Sequence, residues 1–200
     1  MSAMFTAVAV VAEEGGEAAA PAAAAAPAPA ATPATGASEA SVMIEDFEAD
    51  LKKVPEVKTG WESNEGPSSK ASLTRVGDAK DGTGAGQIGF DVKPGSWALV
   101  QKKVEGAEWL NQKPKAVSFW LRGSGSGKMT VELEESYTYK WRKEVSLTDR
   151  TWHFVKINFK EFACDDKKEM SPADLVMVKF VSHGGSAKIL VDDIQFEFEE

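Results

Sequence analysis

Beyond Ser41 apolar and polar residues alternate with a repeat of two, and no stretch carries a helical stripe three turns long. Gln87–Val92 sets Ile88, Phe90 and Val92 on one face. Ala116–Arg122 turns Val117, Phe119 and Leu121 inward and Ser118, Trp120 and Arg122 outward. Met129–Glu134 buries Met129, Val131 and Leu133 and exposes Thr130, Glu132 and Glu134. Similar short runs occupy Trp97–Lys102, Trp152–Phe159, Leu175–Val181 and Ile189–Phe198. Successive side chains of a strand point to opposite faces, so this period is that of half-buried strands. Gly, Pro and Asp turns punctuate them. Strands without intervening helices predict an all-β fold, a two-sheet antiparallel β-sandwich of the jelly-roll type.

The first and last runs share an interruption. Val42-Met43-Ile44-Glu45-Asp46-Phe47-Glu48 opens the pattern, and Ile189-Leu190-Val191-Asp192-Asp193-Ile194-Gln195-Phe196-Glu197-Phe198 closes it. Both are apolar stretches broken by carboxylates. If the two end strands pair, Asp46, Glu48, Asp192 and Asp193 meet, and their charges repel unless a cation lies between them. Calcium accepts carboxylate and carbonyl oxygens and is the expected structural ion. The alternatives are that some of these groups face water, or that Lys52 or Lys53 neutralises them.

Composition changes the picture mainly at the N-terminal end. Residues 1–40 hold no Lys or Arg and consist largely of Ala and Pro. Met4–Ala12 is a short apolar run with small residues before a break after Ala12, so residues 1–12 read as the remnant of an export signal. Pro21, Pro27, Pro29 and Pro33 interrupt the Ala-rich stretch that follows, and residues 13–41 read as a linker. Residues 42–200 are enough for one well-buried core. Export to a periplasmic or extracellular location is therefore expected, with no membrane span, because the apolar run is too short for one. The net charge of −8 includes four tail glutamates, leaving a mildly acidic domain. That argues against nucleic acid, which requires a basic face. Cys164 is alone, set among Asp165, Asp166, Lys167 and Lys168, and reads as an unreactive loop thiol.

Several motifs lose their first appeal on inspection. Gly123-Ser124-Gly125-Ser126-Gly127-Lys128 lacks the spacing of a phosphate loop and is read as a hairpin connection. Gly82-Thr83-Gly84-Ala85-Gly86 lacks dinucleotide spacing and precedes a strand. Glu132 and Glu134 lie on one strand face at roughly 6.5–7 Å, a separation that could serve glycoside hydrolysis, although such outward carboxylates are usually only solvated. His153 and His183 lack metal-ligand spacing. Outward aromatics remain. Trp120 shares its face with Arg122, and Tyr137, Tyr139, Trp141 and Arg142 fall on or near the next strand, with Trp141 and Trp152 expected in the core. Rings present flat π faces to C–H groups while Arg, Glu and His bond hydroxyls, so Trp120, Arg122, Glu132, Tyr139, Arg142 and His183 form the candidate ligand-binding set.

Ile44-Glu45-Asp46-Phe47-Glu48, Trp61, the turn at Gly82–Gly86, Val117-Ser118-Phe119-Trp120-Leu121-Arg122-Gly123, Trp152–Ile157 with Phe162, and Val191-Asp192-Asp193-Ile194 together resemble the family-11-type carbohydrate-binding modules. The resemblance spans roughly residues 42–198 and implies a galactose-binding-like sandwich, with a glycan on the concave face of one sheet and no catalysis. It also implies structural calcium held by Glu48, by Asp192 or Asp193, and by backbone oxygens around Asp46 and Asp81. The family's ligand face is rich in Tyr, whereas this domain has only Tyr137 and Tyr139. The same residues are similar to the complex I intermediate-associated protein family, which implies an accessory subunit of a larger protein assembly tethered by the Ala/Pro tail. A small glycoside hydrolase using Glu132 and Glu134 is the remaining alternative.

Overall fold

The computed structural model describes residues 41–51, 60–123 and 127–198. The expectations for residues 1–40, for Lys52 and Lys53 and for Ser124–Ser126 lie outside the described residues. The strands are β1 (Ser41–Glu45), β2 (Trp61–Glu65), β3 (Lys70–Val76), β4 (Ala85–Val92), β5 (Ala98–Lys103) and β6 (Ala116–Arg122). They continue with β7 (Lys128–Glu135), β8 (Tyr139–Ser146), β9 (His153–Asn158), β10 (Leu175–Ser182) and β11 (Gly185–Glu197). Helical structure among the described residues is confined to 3-10 turns at Glu108–Gln112, Phe159–Glu161 and Pro172–Asp174. One sheet has six strands in the order β3-β4-β11-β6-β9, with β1 also on β11; the other has five, in the order β2-β5-β10-β7-β8. The domain is an antiparallel β-sandwich.

Alternation decides which residues fill the space between the sheets. Ile88, Phe119, Leu121, Ile189 and Val191 from one sheet and Val100, Val131, Leu133 and Phe180 from the other are fully buried. Phe119 meets Phe180 edge-on at 5.5 Å across the sandwich. Burying each such side chain contributes roughly 1.5–3 kcal/mol before the cost of ordering it.

The long closing strand β11 organises the acidic end. Its first half pairs with β4, its second half pairs with β1 on that same side, and β6 runs along the opposite side. The end strands are therefore neighbours, with Ser41 opposite Glu197 and Val42 opposite Phe196. A register shift between Asp192 and Gln195 marks a bulge, and Asp193 sits there at φ 47°. An extra residue of this kind bends a strand and re-aims its side chains.

Three expectations need correction. β6 and β7 belong to different sheets, so they do not form the expected hairpin. Glu132 and Glu134 do point away from the core, yet they are only 6% and 9% exposed, because charged neighbours on adjacent strands cover them. Trp152 is half-buried, with Arg122 over its ring, whereas Trp141 is in the core as expected. β2 and β3 carry little apolar alternation because both are edge strands, with one neighbour each in the sheet order.

Candidate functional site

The acidic end is assembled by the glycine run. Phe47 adopts φ 54°, is fully buried, and stacks on Trp61 at 5.8 Å. A Cβ on Gly86 would lie 2.5 Å from the Phe47 ring, and one on Gly84 would lie 2.3 Å from the Phe47 carbonyl oxygen. The run therefore exists for close approach of two backbones. It also brings backbone donors to Glu48, whose Oε1 accepts from Thr83 N at 2.8 Å and Gly84 N at 3.0 Å, while Oε2 accepts from the Thr83 hydroxyl at 2.6 Å. The Thr83 hydroxyl bond, followed by the backbone bonds, holds the Glu48 carboxyl below the usual range.

Asp192 is completely buried at the bulge. Its Oδ2 accepts from Lys80 N at 2.9 Å and Asp81 N at 3.3 Å, and its Oδ1 accepts from Asp193 N at 3.0 Å. Burial pushes its carboxyl up despite these bonds. Asp193 is pushed up by burial and by repulsion from Asp192, Asp81, Asp46 and Glu48. Asp46, Glu48, Asp81 and Asp192 thus all lie close enough to oppose ionisation of Asp193. Among the described residues, however, no three Asp, Glu, His or Cys side chains are already arranged around one ion point.

The outer face of the five-stranded sheet carries a row that crosses every strand. Register places Glu62 opposite Gln101, Gln101 opposite Lys179, Lys179 opposite Glu132 and Glu132 opposite Arg142. The Gln101 amide donates to Glu62 at 2.9 Å. The Lys179 ammonium lies 3.1 Å from Glu132 and 2.7 Å from Glu134. Arg142 Nε donates to the other Glu132 oxygen at 2.9 Å, and its Nη1 reaches Asp165 at 3.0 Å. Burial lowers the affinity of the Arg142 guanidinium for its proton, but the bonds and charges of Glu132 and Asp165 outweigh it, for a net upward shift. Lys179 is 4% exposed and Gln101 8%. The row is a rigid floor of paired polar groups, with donors and acceptors at fixed spacing.

This geometry divides the expected ligand set. Glu132 and Arg142 belong to the row, whereas Tyr139, two residues from Trp141 on β8, shares its inward parity and packs against the core, with the Lys168 ammonium 4.0 Å over its ring. His183 is exposed just beyond the end of β10. Trp120 and Arg122 lie on β6, on the outer face of the other sheet, because outward positions of the two layers point in opposite directions. There Trp120 meets the half-exposed Phe154 at 5.3 Å, Lys80 lies over the Trp120 ring at 4.4 Å, and Arg122 pairs with Asp78. One site cannot contain all six residues. Gln101 and Lys179 were missed; the sequence signal for them was a Gln and a Lys at outward positions inside apolar runs.

The chain matches the family model for "Carbohydrate binding domain (family 11)" over residues 28–181 and belongs to that family. It is a non-catalytic carbohydrate-binding module. Among solved structures it is similar to the family 11 module of Clostridium thermocellum in complex with a β-1,3-1,4-mixed-linked tetrasaccharide, at 18% identity and TM-score 0.65, covering 80% of this chain and 96% of that one. The family 11 module of a Clostridium thermocellum cellulosomal cellulase aligns at 16% identity and TM-score 0.64, over 80% and 95% of the two chains. A family 30 module from another cellulosomal cellulase of that organism aligns at 12% identity and TM-score 0.59, over 80% and 99%. No curated protein sequence matches the chain. The family match ends before β11, so the closing strand and its bulge are seen in the structure alone. Neither the assembly-subunit nor the hydrolase reading gains support from these likenesses. No helix among the described residues is long and apolar enough to cross a membrane.

Proposed function

We propose that the outer face of the five-stranded sheet is the glycan-binding face, and that the row Glu62–Gln101–Lys179–Glu132–Arg142 is its floor. The observation that carries this reading is the row itself: charged and amide side chains, held by one another across five strands on a face that takes no part in the core. Sugar hydroxyls need donors and acceptors in fixed places, and side chains already locked by neighbours lose little freedom on binding. The ligand of the family 11 relative is a β-1,3-1,4-mixed-linked tetrasaccharide, so a β-1,3-1,4-mixed-linked polysaccharide is the first to try. In affinity electrophoresis through that polymer, the protein is retarded, Arg142→Ala and Gln101→Ala restore mobility, and Trp120→Ala does not. Loss of retardation in Trp120→Ala alone would move the site to the other sheet.

A structural calcium at the acidic end belongs to the same proposal. The donors there are all oxygen, the chemistry a hard cation takes, and three backbone N–H groups rather than an ammonium hold the buried Asp192. Asp46, Glu48, Asp81, Asp192 and Asp193 would hold the ion, which would supply charge neutralisation and tie β1 to β11. Export of the module to meet extracellular polysaccharide is part of this reading, consistent with the family's ligand class.

A further inference from the structure

At one end of the sandwich a cavity of about 510 Å³ opens between three connections: the segment before β6, the turn after β9 and the approach to β10. Its apolar lining comes from Trp141, Phe159, Phe162 and Met170, and its rim carries Lys113, Lys115, Lys160 and Lys168 against a single acid, Glu169. Lys168 is spent on the buried Glu135, which also accepts from Trp141 Nε1 and Ser171 N. Among the described residues, no carboxylate pairs with Lys113, Lys115 or Lys160. That is unusual in a domain whose other cations mostly have partners, including Lys93, Lys103, Lys128, Lys143 and Lys179.

The frame beneath these lysines is rigid. Lys115 N donates to Glu197 O at 2.8 Å, and Lys115 O accepts from Phe159 N at 2.7 Å, so the backbone is clamped between β11 and the end of β9. Lys160 sits inside a 3-10 turn closed by Asn158 and Glu161, whose side chain accepts from Asn158 N at 3.0 Å. Phe159 packs edge-on against both Phe162 and Phe196. Unpaired like charges on one rim cost free energy, and the lining rings, each less than a tenth exposed, keep only a narrow edge in the cavity; one kind of ligand answers both. It has an anionic group for the ammonium ions and an apolar face for the rings.

We infer that this cavity is a second carbohydrate site, specific for an acidic sugar, with Lys113, Lys115 and Lys160 around the carboxylate of a uronic acid residue and the Phe159–Phe162–Trp141 floor beneath its ring. The volume falls within the usual range of small-ligand pockets. It is separate from the proposed row on the five-stranded sheet, and its ligand chemistry differs, so the two readings fail independently. The test is titration calorimetry of the full chain with an oligogalacturonate, with a neutral mixed-linked gluco-oligosaccharide and with sodium sulfate. The oligogalacturonate binds, its affinity falls with added salt, and Lys115→Ala/Lys160→Ala weakens it about tenfold or more while neutral glucan binding and the melting temperature stay unchanged. Arg142→Ala leaves oligogalacturonate binding intact. No oligogalacturonate binding, or binding unchanged in the double variant, overturns the inference. Sulfate competing as strongly as the oligosaccharide also overturns it, because the cavity would then hold a bare anion and not a sugar.

Discussion

Two of the regions in which this domain buries carboxylates neutralise them by different means. On the five-stranded sheet Glu132 and Glu134 share the Lys179 ammonium, and Glu132 also holds Arg142. At the β1–β11 end Asp192 is more deeply buried still, but its bonds come from backbone N–H groups, and its acidic neighbours push Asp193 upward. Backbone dipoles supply partial charge only, and the Arg75 guanidinium, 4.0 Å from Glu48, answers just one of these carboxylates, so the negative field around Asp192 and Asp193 is compensated only in part. The first is complete in itself and can serve as a floor. The second is where the proposed calcium would sit.

The largest effect is expected where the compensation is a single side chain. Lys179→Met leaves Glu134 buried without its cation and should cost about 3–5 kcal/mol in urea unfolding at neutral pH. Adding Glu134→Gln to that variant should recover part of the loss. A cost below about 1 kcal/mol would mean that the row is effectively solvated and that the contrast is false. Next comes the cation itself. Chelation should lower the melting temperature and calcium should restore it, with a stabilisation of about 2.7 kcal/mol at a hundredfold excess over Kd. Identical melting curves would remove the metal and leave the bulge as a purely structural acidic knot.

The smallest effect separates repulsion from metal binding. In the chelated protein Asp193→Asn should raise stability at neutral pH, since it removes a carboxylate that its neighbours oppose. A carboxyl whose folded pKa is raised favours the fold below its unfolded pKa and loses that contribution as pH climbs through the folded value. The advantage of the Asn variant should therefore be greatest at neutral pH and shrink as pH falls into the carboxylate range. An advantage independent of pH would show that backbone relief at φ 47°, and not charge, is responsible.

Much of the fold was readable in the residues. The bounds of the run Ala116–Arg122 coincide with β6, although Ser118, expected outward, is 1% exposed, and the acidic interruptions near Asp46 and Asp192 correctly placed the end strands side by side. Polar edge strands were not readable: Trp-Glu-Ser-Asn-Glu and Lys-Ala-Ser-Leu-Thr-Arg-Val have too few apolar residues to show a period. The Gly82–Gly86 run was visible as a turn, but its purpose, leaving room for Phe47 and donors for Glu48, appears only when segments about 35 residues apart meet.

What the chain determined by itself is parity: which residues face the core, and which face out, follows from a two-residue repeat that any strand obeys. Which sheet each strand joins is a matter of long-range pairing, and only the tertiary structure decides it. Trp120 and Glu132 are both outward by parity, yet they look away from each other because β6 and β7 enter opposite layers. The same folding puts Gln101, Lys179, Glu132 and Arg142 in one line, although they come from four separate strands. Local sequence sets the direction of a side chain, and the hydrogen-bonded neighbours of its strand set what it meets.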